Sequence, residues 1–247
     1  MSLAEGKRFD LRFLLRLRLI VLVPLLFAAG CAQTRSLDSG DAFQRPAGEV
    51  TVLLMPADVE ISLLTTGGLL EPNAAWTEQG RRNVVAALKA EMAERNIKVV
   101  SYADDSNPTY EIEPEHLQLV KLHEAVGGAI ALHKFVPALA LPTKKDKFDW
   151  TLGDGVQRLR DSHGGNYALF VYAEDSFSSE GRVALTVALA ILGVGVQGGQ
   201  QIAFASLVDM DSGSVVWFNV LTSGVGDLRD PELARGTIDT LLDSAPL

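Results

Sequence analysis

Between Glu49 and Leu247 the apolar positions recur with two periods, so the chain reads as strands interleaved with helices. The run Glu49-Val50-Thr51-Val52-Leu53-Leu54-Met55 is β-rich and is stopped by Pro56, which has no N–H to give a ladder. Val59-Glu60-Ile61-Ser62-Leu63-Leu64 alternates before Gly67-Gly68. Thr77 is placed to cap a helix running to about Arg95, with Val84, Val85, Leu88 and Met92 on one face. Ile97 to Tyr102 reads as a short strand, and Asp104 to Pro108 as a loop. Pro114 opens a second helix. Its expected buried stripe is Leu119, Leu122, Val126 and Ile130, and Gly127-Gly128 lower its propensity. Leu141 to Lys147 is a charged loop. A short helix from about Asp154 to Asp161 leads through Gly164-Gly165 into the strand Tyr167 to Tyr172.

The C-terminal third carries the clearest signals. Gln201 to Val208 and Ser214 to Leu221 are strong β runs joined by Asp209-Met210-Asp211-Ser212-Gly213, which has hairpin chemistry. Simple alternation puts Val215 and Trp217 on one face, Val216 and Phe218 on the other. Apolar residues on both faces predict a central strand, covered on both sides. Asp230-Pro231-Glu232 combines an N-cap, a proline at the first helical position and a first-turn acid. The closing helix is expected to bury Leu233, Ile238, Leu241 and Leu242. Together these elements predict an α/β (α+β) fold: one domain over 49–247, a mixed sheet with helices packed on it.

Upstream the pattern changes. Lys7, Arg8, Arg12, Arg16 and Arg18 precede the apolar run Leu19 to Phe27, and Ala28-Ala29-Gly30 precede Cys31. A basic front, a short apolar stretch and small residues make a signal peptide over residues 1–30, too short an apolar run to span a bilayer. Cys31 is the single cysteine of the chain, and its thiol is the nucleophile that takes a lipid. Leu26-Phe27-Ala28-Ala29-Gly30-Cys31 resembles the lipobox of bacterial lipoproteins. That resemblance implies fatty acylation of Cys31. Ala32, where inner-membrane lipoproteins tend to carry Asp, implies the outer membrane, with the domain facing the periplasm. Residues 31–48 are polar with Gly and Pro. They read as the lipidated cysteine and a flexible tether, whose 17 residues after Cys31 reach about 20–25 Å.

Charge narrows the partners. The first 30 residues carry five basic and two acidic groups, so their removal leaves 217 residues and takes the net charge from −9 to −12. A body so acidic does not fit nucleic acid, which needs clustered Lys and Arg, nor anionic headgroups through charge alone. With Cys31 acylated no disulfide is possible, and stability has to come from burial.

No motif supplies catalysis, a cofactor site or a metal site. Gly193-Val194-Gly195-Val196-Gln197-Gly198 matches G-x-G-x-x-G, but a dinucleotide site needs that loop to open a helix, and a strand follows here. Asp209 to Gly213 fails as a calcium loop because the position of the bidentate acid is Val220. His116, His123, His133 and His163 show no HExxH spacing and are expected at the surface or at caps. There is no G-x-S-x-G, and Ser162-His163 are neighbours in a turn.

One segment resists a bland account. Val183 to Val196 holds no charge between Arg182 and Gln197. Its residues Val183, Leu185, Val187, Leu189, Ile191 and Leu192 form a candidate contact segment. Burial within the domain is the first reading; a subunit or partner contact and insertion into a membrane are the alternatives.

Thr51-Val52-Leu53-Leu54, Gln79 to Leu88, Ala205 to Asp209 and Gly213 to Trp217 resemble the periplasmic α/β domain of curli-secretion and penicillin-binding-protein activator lipoproteins. Phe148 to Gly153 are similar to proteobacterial lipoproteins from which no activity carries over. In the curli-secretion family segments leaving this sheet build a β-barrel, but Val183 to Val196 lack the alternation such strands need. The reading is a non-enzymatic outer-membrane lipoprotein with an envelope protein-binding or assembly role. The alternatives are a homo-oligomeric channel or secretion component inserting or packing through 183–196, and an envelope hydrolase with an unrecognised site.

Overall fold

The computed structural model describes residues 32–39, 50–102, 111–144 and 147–247. The expected signal peptide, Cys31, residues 40–48 of the expected tether and the expected loop Asp104 to Pro108 lie outside them.

β1 (Gln33–Asp38) precedes β2 (Thr51–Leu54), β3 (Asp58–Leu64), β4 (Leu70–Pro72), α1 (Ala74–Glu94), β5 (Lys98–Ser101) and α2 (Pro114–Phe135). A 3-10 turn at Asp154–Val156 then runs into α3 (Gln157–His163). β6 (Tyr167–Ser178), α4 (Glu180–Ile191), β7 (Gln201–Asp209), β8 (Val215–Ser223) and α5 (Pro231–Leu242) complete the chain. The α/β fold with one mixed sheet is what the two periods predict.

The sheet is built around β6. Pro56 breaks the first apolar run, and both pieces lie along one edge of β6: β2 beside Tyr167–Leu169, β3 beside Tyr172–Ser178, both parallel to it. β7 lies antiparallel on the other edge and is followed by β8 and then β1, also antiparallel. Beyond β2 and β3 the sheet ends in β5 and β4.

Six residues expected in the tether, five of them polar, therefore form an edge strand. Gln33–Asp38 pair with Thr222–Trp217, and the Ser39 amide donates to the Val216 carbonyl at 3.1 Å. Leu37 adds the one apolar side chain that packs inward. The bonds are main-chain bonds, which is why no apolar pattern announces them.

Each face of the sheet carries its own core. On one, Val84, Leu88 and Met92 of α1 and Ile238, Leu241 and Leu242 of α5 cover Val52, Ile61, Leu207 and Trp217. On the other, Leu119, Val120 and Ile130 of α2 and Leu159 of α3 cover Leu53, Phe170, Phe204 and Phe218. Gly127 is required there, because a Cβ would run into the Phe204 ring.

Several local expectations shift. The α1 cap is Asn73, whose Oδ1 accepts from the Trp76 amide at 3.1 Å, while Thr77 lies inside the helix and its Oγ1 accepts from the Ile61 amide at 2.9 Å. Leu122 in α2 and Leu233 in α5 are exposed. In their stripes stand the shorter or polar His116, His123, Ala234 and Thr237, all buried. Asp230 does cap α5, accepting from the amides of Glu232 and Leu233.

The β7–β8 hairpin forms where Asp209 Oδ1 accepts from the amides of Asp211 and Ser212. Gly213 has a φ of 73° and lies so close to the Gly153 carbonyl that no Cβ fits. β8 is central and Trp217 is 1% exposed. Its alternation breaks, though: Leu207 pairs with Trp217 but Val208 with Val215, leaving Val216 as an extra residue. Val216 and Trp217 therefore both join the α1/α5 core, and Val215 joins Phe218 on the other face.

Candidate functional site

The segment that composition could not place is outside the core. Ser179 caps α4, its Oγ accepting from the Arg182 amide at 3.2 Å. The Arg182 guanidinium donates to the carbonyls of Gln197 and Thr66, clamping the return loop and the β3–β4 turn to the first turn of α4. Beyond that clamp α4 has no buried residue. Val183 is 51% exposed, Val187 58%, Ile191 81% and Leu192 74%. Leu185 and Leu189 are half-buried. Burial within the domain is thus overturned: the helix is apolar on its open face, and nothing among the described residues covers it. A surface helix normally turns charged residues outward, and after Arg182 this one has none to turn.

α4 stands at one particular end of the sheet. Pairing aligns Gln33, Thr222, Ile202, Glu174 and Glu60 in one row across β1, β8, β7, β6 and β3. At that end the chain enters β1, β3 turns into β4, β6 leaves for α4, and β8 leaves for α5. A groove of 410 Å³ opens there between the C-terminal half of α2 and the sheet, lined by Gln33, Leu132, Phe135, Ile202 and Val220.

Gly193 to Gly198 form the loop that returns from α4 to β7. They open no helix, as the following strand predicted.

Two of the four histidines, His116 and His123, correct the expectation of surface or capping roles; His133 and His163 are partly exposed. His116 and His123 are 2% and 1% exposed, both in the buried stripe of α2. His123 Nε2 is 2.9 Å from Ser206 Oγ, and the ring stacks on Phe170 with centroids 5.1 Å apart. This pair has the composition of a hydrolytic dyad, but both residues are 1% exposed and lie within the core. Burial pushes the His123 pKa down to about 3. His116 Nδ1 lies 2.6 Å from the Tyr102 hydroxyl and 3.8 Å from Glu113 Oε2. The His163 ring lies 4.5 Å from that of Tyr102, and burial together with the neighbouring His116 lowers its pKa. His133 Nδ1 sits 2.7 Å from the Leu139 carbonyl. Among the described residues no three His, Cys, Asp or Glu side chains are grouped to hold a metal ion.

A polar knot under the α4 end went unseen in the sequence. Asp175 is 2% exposed, and its Oδ2 accepts from Gln201 Nε2 and the Leu228 amide, both at 3.1 Å. Gln201 Oε1 in turn accepts from Thr237 Oγ1 at 3.0 Å. Burial raises the Asp175 pKa to about 6, with its hydrogen bonds opposing. Asp175 sits on a strand between Glu174 and Ser176, and only its partners, 26 and 53 positions away, give it meaning.

No family model matches the chain, and no curated protein is similar to it. Among solved structures it is similar to the PelC dodecamer from Paraburkholderia phytofirmans. That match has 14% identity, covers 86% of this chain and 95% of that one, and has a TM-score of 0.37. A point variant of the same dodecamer in another crystal form matches with 13% identity over 86% of this chain and 96% of that one, also at 0.37. Likeness at this level transfers neither assembly nor activity.

Proposed function

We propose that this chain is a non-enzymatic lipoprotein of the outer membrane. Cys31 anchors it, the domain faces the periplasm, and its work is contact and assembly within the envelope. The observation that carries this reading is α4, a helix that bears no charge after Arg182 and leaves Ile191 81% exposed. An uncovered apolar surface of this kind belongs to a contact, because water penalises it at about 25 cal/mol per Å². The sealed Ser206–His123 pair supports contact over hydrolysis. The run Val183, Leu185, Val187, Leu189, Ile191 and Leu192 is the contact element, with no cofactor assigned to it. The same exposure favours a second reading, a homo-oligomeric channel or secretion component that packs or inserts through this run.

A photo-crosslinking residue in place of Val187 tests both in intact cells, with Ser212 at the opposite end of the sheet as control. Adducts with envelope components at 187 and none at 212 are expected. A ladder of copies of the chain would favour the second reading. Equal background at both positions would overturn the contact role.

A further inference from the structure

Resting on the lipoprotein reading, we propose that the α4 end of the sheet is a bilayer-docking surface, so that the domain sits on the phospholipid rather than swinging below it. The placement of β1 decides the occupant. Gln33 is fixed in register with Thr222 and Ile202 at this end. Cys31 lies two residues before Gln33, a span of at most about 7 Å of extended chain. A thioether-linked lipid on Cys31 therefore draws the membrane surface to within that distance of the sheet end. A helix is about 10–12 Å across, so no protein layer fits in the gap.

Laterally, β1 and β6 are three strand spacings apart, about 14 Å, so α4 rises beside the anchor over the same patch of membrane. Most of the large apolar side chains exposed among the described residues gather here, including Leu69, Val187, Ile191, Leu192, Val194 and Val225. Ile202 on the same row and the groove beside Leu132 continue the surface toward β1.

Depth follows from length. The 12 residues of α4 measure about 18 Å, well short of the roughly 30 Å hydrocarbon core. Among the described residues no helix is long and apolar enough to cross a membrane. The helix therefore enters only the headgroup and upper acyl region, as interfacial helices do. Arg182, the cation at its base, is already engaged with Gln197 and Thr66. Attraction thus rests on apolar burial, and zwitterionic lipid suffices.

The chain's own chemistry supplies the test. With Cys31 acylated, a cysteine introduced at Leu192 is the only free thiol for an environment-sensitive dye. Full-length lipidated Leu192→Cys is labelled and placed in phosphatidylcholine–phosphatidylethanolamine vesicles, with Ser212→Cys in the β7–β8 hairpin as reference. The expected result is blue-shifted emission at 192, quenched at least about twofold more by lipids brominated high on the acyl chain than at 212, which stays aqueous. Aqueous emission at both positions from protein that floats with the vesicles overturns docking and leaves the anchor standing. Protein that fails to float overturns the anchor, and docking with it. A concentration-dependent blue shift at 192 before vesicles are added assigns the surface to a second copy and also overturns the proposal.

Discussion

His123 and Asp175 are buried ionisable groups whose effects on stability run in opposite directions with pH. The folded protein holds His123 neutral down to about pH 3, whereas the unfolded chain protonates it near 6.5. The stability it supports is complete above pH 6.5 and is lost as pH falls, at up to about 1.4 kcal/mol per unit. Asp175 has its pKa raised to about 6, so it favours the fold while protonated, and that contribution is lost as pH climbs from about 4 to 6. The two slopes overlap and oppose each other between pH 4 and 6. His123→Gln, which keeps a hydrogen-bonding side chain beside Ser206, should therefore become more stable relative to wild type as pH falls from 6.5 to 4. Urea unfolding at several pH values measures this, and parallel curves would show that His123 is not held neutral. Neither group was legible at this level. A histidine seven residues from another looks the same whether its face turns to water or to Phe170, and only the packing of β6 and β7 under α2 settles which.

At the scale of elements, local chemistry was readable wherever the signal was itself local. The Asp230-Pro231 start of α5, the Asp209–Gly213 turn and the stop at Pro56 each depend on a few neighbouring residues, and each formed as expected. What escaped depends on partners far along the chain. β1 is drawn into the sheet by main-chain bonds to β8, about 180 positions later, and its polar side chains are at home on an edge. The uncharged run of α4 has the same composition buried or exposed, so burial was a reasonable expectation and a wrong one. Within β8, the extra residue Val216 breaks the simple alternation of faces but keeps Trp217 between α1 and α5. Trp217→Ala should cost about 3–5 kcal/mol, since no adjacent helix can collapse into the space while both are tied to the sheet. A loss below about 1 kcal/mol in a denaturant titration would mean that this core repacks freely.

For the whole molecule, the proposed attachment rests on one atom, the Cys31 sulfur. Cys31→Ser keeps an oxygen where sulfur stood, but serine forms no thioether. The variant should retain its signal peptide, because processing of lipoproteins follows acylation, and should not label with fatty acid. Wild type should label and partition into detergent. Equal labelling of the two would place the lipid elsewhere or nowhere. Once acylated, the protein is held by several chains, each CH₂ adding about 0.8 kcal/mol to membrane affinity, so release of the intact protein is negligible.

The pairing of β1 with β8 also sets an order in time. In the export that the lipoprotein reading proposes, Gln33 would be among the first residues after Cys31 to leave the channel, and its partner Thr222 would follow 189 positions later. Until residues 215–223 arrive, β1 has nothing to pair with, and β7 lacks the neighbour that completes its outer edge. β1 therefore joins the sheet only after nearly the whole chain has crossed the inner membrane. On that reading the peptidase and the acylating enzymes would meet Cys31 while β1 is still free, and β1 would pair with β8 afterwards.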